Sequence, residues 1–302
     1  MSRLADRLTE LGYATGWRTV RLLPHQIASA GFSAGADLAT RRRGPGVRRL
    51  ADNLRTVVGD GMPEREFQRL LRAGVRSYAR YWLELFRLPD RSSDQILRGF
   101  RLDGIELLEA AIAQGRGVVL ALPHMANWDA AGAWAAAKGW PITTVAERLK
   151  PEAVYERFLA CRRRLGMEIL PLTGGDRSVL AALSDRLGRG HIVPLVADRE
   201  FSAGGVEVTF FGGIARMPPG PALLALRTGA PLMTASLWYE RDVVCGRVEP
   251  PLSMPETGPV SDRARLLTQR VADNFAAGIA AHPADWHMMQ PVWSRQPARR
   301  SG

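Results

Sequence analysis

Five histidines are spread through the 302 residues, at positions 25, 124, 191, 282 and 287, and His124 stands in a context the others lack. It follows the apolar run Val118–Leu122 and Pro123, and precedes Met125, Ala126, Asn127, Trp128, Asp129 and an alanine-rich stretch. That order reads as a strand, a sharp proline-marked turn and a helix opening at about Asn127. Catalytic groups of parallel α/β sheets gather at the carboxyl ends of strands, so an imidazole there is placed to act as a general base. In that role one ring nitrogen takes a proton while the other needs an acceptor that fixes the tautomer and steadies the imidazolium. Two acids compete for the position. Asp129 lies five residues on, but a helix running from Asn127 turns its side chain away from the strand end. Asp198 closes a second apolar run, Ile192–Ala197, and adjacent parallel strands would bring the two carboxyl ends together. His124–Asp198 is therefore the expected dyad. Asp129 is expected at the helix start, fixing Arg162 or the turn, with direct contact to His124 as the alternative. His25, His191, His282 and His287 are read as structural.

Other chemistries find no pattern. There is no G-x-S-x-G elbow, P-loop or dinucleotide fingerprint, and the glycines at 174–175 lack the residues that would make one. Cys161 lies in the helical segment 155–166 and Cys245 in an apolar run, with no metal-ligand spacing between them. What remains is an enzyme without metal or cofactor, in which an acceptor hydroxyl attacks an activated substrate. The helix after His124 is unusually small, with alanine at 130, 131, 133 and 135–137 and glycine at 132. Such residues allow close helix–sheet packing, the simpler reading, or leave room for a long apolar ligand.

The elements that must hold these groups follow from the texture of the chain. Strand-like runs at 118–122, 142–145, 169–172, 192–196, 232–238 and 243–248 alternate with helical segments at 103–113, 128–138, 151–165, 176–188 and 219–228, and a helix follows near 261–281. The alternation predicts an α/β fold: a mixed, largely parallel sheet flanked by helices on both faces, with room for an antiparallel edge. Before it the pattern is helical. Leu4, Leu8 and Leu11 keep helical spacing, residues 41–55 form a basic helix after a Gly44-Pro45-Gly46 loop, and Pro63 opens a long helix with Phe67, Leu71, Val75, Tyr78, Trp82 and Leu85 on one face. The expected division is a helical membrane-contact region over 1–100, an α/β core over 101–293 and a basic tail over 294–302, in one structural domain.

Composition agrees with a globular protein: 46% of residues are hydrophobic and 24% charged. The formal net charge is +11, and nine arginines against Asp6, Glu10 and Asp37 place six of those charges in residues 1–50. A basic, amphipathic beginning points to an anionic membrane surface. Nucleic acid is not expected, because no stacking aromatics interleave with the arginine runs. No run is long and apolar enough to span a bilayer, and charges at Arg3, Asp6, Arg7 and Glu10 interrupt any signal-peptide core. The expected location is peripheral, on the cytoplasmic face of the cell membrane.

Longer stretches carry a resemblance. Leu120–Asp129 (LALPHMANWD), 143–152 (TTVAERLKPE), 170–177 (LPLTGGDR), 197–200 (ADRE), 204–212 (GGVEVTFFG), 216–222 (RMPPGPA) and 283–291 (PADWHMMQP), with LGYATGWR at 11–18 and SYARYW at 77–82, occur in order. Over about residues 11–293 the chain resembles the phosphatidylinositol mannoside acyltransferases, within the wider group that includes the lipid A late acyltransferases. The resemblance implies a glycerolipid-acyltransferase-like fold and transfer of a palmitoyl group from acyl-CoA to the 6-hydroxyl of the mannose on position 2 of inositol in a mannosylated phosphatidylinositol. It makes His124 the catalytic histidine. The partner acid, a glutamate in relatives, falls on Asp198, one methylene shorter, with Glu200 nearby but out of register. Arg162, Glu147 and Arg148 correspond to the substrate cleft, and Gly204 and Arg227 to positions near the acyl donor, although relatives carry an acid where Arg227 stands.

Overall fold

The computed structural model describes residues 16–146, 152–172, 178–200 and 204–295. The amino-terminal part is helical: α1 (16–22), α2 (His25–Arg42), α3 (Pro45–Val58), α4 (Glu64–Arg87) and α5 (Ser93–Arg98). Strands and helices then alternate as β1 (Phe100–Asp103), α6 (Ile105–Ile112), β2 (Val118–Leu122), α7 (Trp128–Ala137), β3 (Ile142–Ala146), α8 (Glu152–Arg164), β4 (Met167–Pro171), α9 (Val179–Leu187) and β5 (Ile192–Val196). The hairpin β6 (Val206–Phe210) and β7 (Gly213–Met217) leads to α10 (Gly220–Thr228), β8 (Leu232–Glu240), β9 (Val243–Val248), α11 (Val260–Ala281) and β10 (Trp293–Arg295).

The central sheet has the order β1-β9-β8-β2-β5-β3-β4, and β8–β9 is its antiparallel pair. Helix α7 contacts β1, β3, β4 and β9, while α10 and α11 contact β8. The predicted largely parallel sheet between helical layers is thus present. Its antiparallel element is not an edge: β8 and β9 form a hairpin inside the sheet, and β1 runs parallel to β9 beyond it. Only Phe100 and Leu102 are apolar in β1, too brief an alternation to stand out from the helical signal that follows. A second sheet, β10-β7-β6, pairs antiparallel and rests on α11. Its β6–β7 turn places Phe211 and Gly212 at φ 49° and 76°, the left-handed pair that a tight hairpin demands.

Register positions the site. Strands β2 and β5 pair from Val118↔Ile192 to Leu122↔Val196, and the Ala197 amide extends the ladder to the Leu122 carbonyl at 2.9 Å. Residues two past each end, His124 and Asp198, therefore leave the sheet at one level. Both strands are buried nearly throughout, as expected of central parallel strands. On the other side of β5 the ladder to β3 consists of Ile142↔Ile192. Pro194 has no N–H to extend it, and the Thr144 hydroxyl donates to the Pro194 carbonyl instead, at 2.6 Å.

Helices α2–α4 enclose a core of their own, with Leu50, Leu54, Phe67, Leu71 and Val75 at its centre. The loop before α3 is shorter than expected: Arg43 takes the left-handed cap of α2, Gly44 caps α3, and Gly46 is already helical after Pro45. The α4 stripe changes use along its length, from packing at Phe67–Val75 to lining the site at Tyr81 and Trp82. Leu4, Leu8 and Leu11 lie outside the described residues, among which no helix is long and apolar enough to cross a membrane.

Candidate active site

His124 and Asp198 meet as the register requires. The imidazole Nδ1 lies 2.5 Å from Asp198 Oδ1, while Asp198 Oδ2 accepts from the His124 amide and from the Trp286 indole N–H, each at 2.9 Å. Burial of Asp198, complete in this structure, works to raise its pKa. The neighbouring His124 charge and the three donors outweigh burial and hold the carboxyl below its ordinary value. An ionised carboxylate only accepts, so Nδ1 carries the hydrogen, and in the neutral ring Nε2 holds the lone pair. The imidazole is 27% exposed and lines a cavity.

Asp129 has a different partner. Arg162 grips it through a fork, Nε to Oδ1 at 2.6 Å and Nη2 to Oδ2 at 3.2 Å, and the Tyr81 hydroxyl donates to Oδ2 at 3.1 Å. Asp129 holds the guanidinium in its charged form more firmly than usual, and burial drives the Tyr81 phenol upward. The Asn127 side-chain carbonyl caps α7 at the Ala130 amide, and its Nδ2 donates to Glu84, which also accepts from Arg80. Truncating Arg162 to alanine leaves the Asp129 carboxylate, 2% exposed, without its cation. A loss of about 3–5 kcal/mol in denaturant unfolding is expected, and less for Arg162→Lys, which keeps the charge without the fork.

A cavity of about 1050 Å³ begins at His124 and runs between the sheet and α7, α8 and α10. Its walls are mainly aliphatic and aromatic, among them Leu120, Leu159, Leu195 and Leu224. Both readings of the small helix hold. Ala130 and Ala133 are buried in the core, while Ala131, Gly132 and Ala135 line the cavity, and a Cβ on Gly132 would stand 2.5 Å from Met167 Sδ. Asp129, Arg162 and Glu200 are also in the wall. Gly204 forms an exposed turn, and Arg227 lies exposed on the last turn of α10, outside the lining. The structure thus does not bring Arg227 to the cavity, because the face of α10 turned inward carries Gly220, Pro221 and Leu224. Glu147 and Arg148 lie outside the described residues.

A dyad at a strand end, opening on a long apolar cavity, is suited to moving an acyl group, and the comparisons with known proteins agree. Residues 4–295 match the family described as bacterial lipid A biosynthesis acyltransferases. The chain belongs to this acyltransferase family. It is 48% identical over 292 residues to the phosphatidylinositol mannoside acyltransferase of Mycolicibacterium smegmatis, covering 96% of this chain and 93% of that one. The protein of the same name from Mycobacterium tuberculosis is 45% identical over 294 residues, with 97% and 90% covered.

In this acyltransferase the dyad hangs on a segment that sequence reasoning passed over. The Asp285 carbonyl accepts the Ala126 amide at 2.9 Å, Met125 bridges Trp286, and the His287 amide donates to the His124 carbonyl at 2.8 Å. These contacts hold the turn in which Ala126 adopts φ 42°, a region that costs an alanine about 1 kcal/mol or more. Ser77 bridges the side chains below, 2.6 Å from Asp285 Oδ1 and 2.8 Å from His287 Nε2. The expectation of a structural His287 fits this placement; the signal for the contact lay in the motif at 283–291. Burial, with repulsion from His124, lowers the His287 pKa to about 3. In the unfolded chain its pKa is near 6.5, so its contribution to stability is present above that value and is lost as pH falls toward 3. About 2 kcal/mol of stability should disappear between pH 7 and pH 5 through this group alone. Urea midpoints across that range should show the slope, and His287→Gln should flatten it.

Proposed function

We propose that the protein transfers a long acyl group, palmitoyl by preference, from acyl-CoA to the 6-hydroxyl of the mannose on position 2 of inositol in a mannosylated phosphatidylinositol. The observation that carries this reading is the buried Asp198 carboxylate on Nδ1 of an imidazole that lines a cavity of acyl dimensions. The names and high identity of the relatives favour the acceptor. His124 Nε2 removes the hydroxyl proton as the oxygen bonds to the thioester carbonyl. The C–S bond then breaks, the pair of electrons leaves on sulfur, and the imidazolium returns a proton to the thiolate where one is needed. Of the turn amides, Met125 and Ala126 are already bonded to Pro123 and Asp285, and Ala130 to Asn127. The amides of Trp128 and Asp129 at the start of α7 remain to stabilise the oxyanion. Neither cysteine suits an acyl-enzyme route: burial pushes the Cys161 thiol up to about 12 and raises that of Cys245. The enzyme acts from the cytoplasmic face of the cell membrane, its basic amino-terminal region against anionic lipid.

Incubation with palmitoyl-CoA, with and without the mannosylated phosphoinositide, tests the reading. Thiol release that depends on the acceptor, with one palmitoyl added to the lipid by mass, is expected in sequential kinetics. Thiol release into water alone, or preference for a lipid A-type acceptor, refutes it. Gly132→Leu should shift the preferred donor by several carbons toward shorter chains, read as kcat/KM over a series of acyl-CoA lengths, because its Cβ displaces the Met167 side chain, itself in the wall, and the two together take up cavity volume.

A further inference from the structure

Helix α8 presents two different faces to two different cavities. Tyr155, Phe158, Leu159 and Arg162 turn toward the cavity that begins at His124. Arg157, Ala160, Cys161 and Arg164 line a second cavity of about 740 Å³. Both sets keep i, i+3, i+4, i+7 spacing and are offset by two residues, which places them on opposite sides of one helix.

The rest of the second cavity comes from Trp17, Arg18, Arg21 and Leu22 of α1 with Pro89 and Asp90. Helix α1 is fastened there. The Trp17 indole donates to the Phe86 carbonyl at 3.0 Å and packs on Phe158, and Arg87 donates to the Val20 and Leu23 carbonyls, each at 2.8 Å. Four guanidiniums thus share a wall with one carboxylate, Asp90, which Arg21 binds. Among the described residues Arg18, Arg157 and Arg164 form no ion pair. Beside this charge lies apolar surface that water meets: Leu22 is 76% exposed, Leu23 36% and Ile27 57%, all at the α1–α2 junction. A small free anion would use the arginines and leave these side chains wet. An amphiphile with an anionic head satisfies both.

We propose that this cavity binds the phosphate-bearing headgroup of an anionic phospholipid, with Arg18, Arg157 and Arg164 on the phosphate and Leu22, Leu23 and Ile27 against the acyl region. The site deepens the reading of a membrane-surface enzyme and uses none of its donor or acceptor chemistry. It seats the outer face of α8 on lipid while the inner face carries Arg162 and the cavity wall.

Flotation of the full chain with phosphatidylcholine vesicles, with and without phosphatidylglycerol, provides the test. The wild type should bind the anionic vesicles, and Arg157→Gln with Arg164→Gln should weaken that binding about thirty-fold, at about fivefold per charge near the surface. The charge-matched control Arg98→Gln with Arg189→Gln, both exposed and outside either cavity, should change it less than threefold. Unchanged melting temperatures establish that the variants are folded. Dihexanoyl phosphatidylglycerol, below its micellar concentration, should compete with vesicles at concentrations where orthophosphate does not. Equal losses in the two double variants would mean diffuse charge and overturn the site, as would wild-type binding by the α8 variant. Equal competition by orthophosphate would make it a free-anion pocket and overturn the lipid assignment. Flotation needs neither thioester nor glycolipid, so its failure would leave the acyl-transfer reading standing, and the reverse also holds.

Discussion

His124→Ala is expected to lower kcat for acyl transfer about 10²–10⁴-fold while changing KM for the acyl donor little. In the proposed mechanism this removes the base for the acceptor proton, whereas the cavity is formed by some forty other residues and persists. Truncation removes one donor from Asp198, yet the Trp286 indole and the residue-124 amide still satisfy its Oδ2, so the fold should survive. A melting curve close to wild type, together with lost thiol release in the presence of acceptor, is the expected pair of results. His124→Gln separates shape from basicity: its amide reaches a similar volume but has no lone pair able to take a proton at neutral pH, and it should be as inactive as the alanine. Near-full transfer by either variant would remove His124 from the chemistry. It would then turn attention to a mechanism in which the acceptor is activated by solvent.

The route to this residue was open in the sequence because strand ends announce themselves. Two apolar runs, one ending in Pro-His and the other in Ala-Asp, needed only parallel adjacency to bring His124 and Asp198 together, and the β2–β5 register supplies it. Asp129 was legible for the same reason in reverse: a helix start directs it away from the strand and toward a cation on α8. What stayed hidden depends on long-range packing without local period. Asp285, Trp286 and His287 follow the end of α11, with no strand pattern of their own, and clasp the His124 turn some 160 residues earlier in the chain. Ser77, Tyr81 and Glu84 lie on a helix whose apolar stripe reads as core, and their polar atoms point at the site from an otherwise conventional amphipathic pattern. The hairpin β6–β7 carries no continuous apolar run, which is the signal that marks the central strands; its own signal is the alternation of Val206, Val208 and Phe210 with Glu207 and Thr209, as on a sheet covered on one side. Arg227 shows the opposite error. A matched position in a linear comparison carries no information about which side of a helix turns inward, and here the small face of α10 does.

Asp198→Asn is expected to cost about 10⁴-fold in kcat, the size of effect seen when a triad aspartate becomes asparagine, and the reason lies in its three donors. Oδ2 accepts two N–H groups that cannot reverse their role, the His124 amide and the Trp286 indole. An asparagine therefore keeps its carbonyl oxygen there and turns its NH₂ toward His124 Nδ1. That nitrogen must then accept, the ring hydrogen moves to Nε2, and the base faces the acceptor hydroxyl already protonated. Asp198→Glu retains an acceptor for Nδ1 and should lose much less, limited by the space for one more methylene in a fully buried corner. The folded pKa of Asp198 lies below its unfolded value of 3.8, so the carboxylate stabilises the fold above that value and the contribution fades as pH falls through the folded pKa. The asparagine variant should lack that acid-limb loss in urea midpoints. A nitrogen-15 spectrum of the imidazole gives the decisive reading: Nδ1–H in the wild type, Nε2–H in Asp198→Asn. A variant that keeps the Nδ1–H form and full turnover would show that the carboxylate neither sets the tautomer nor supports the imidazolium.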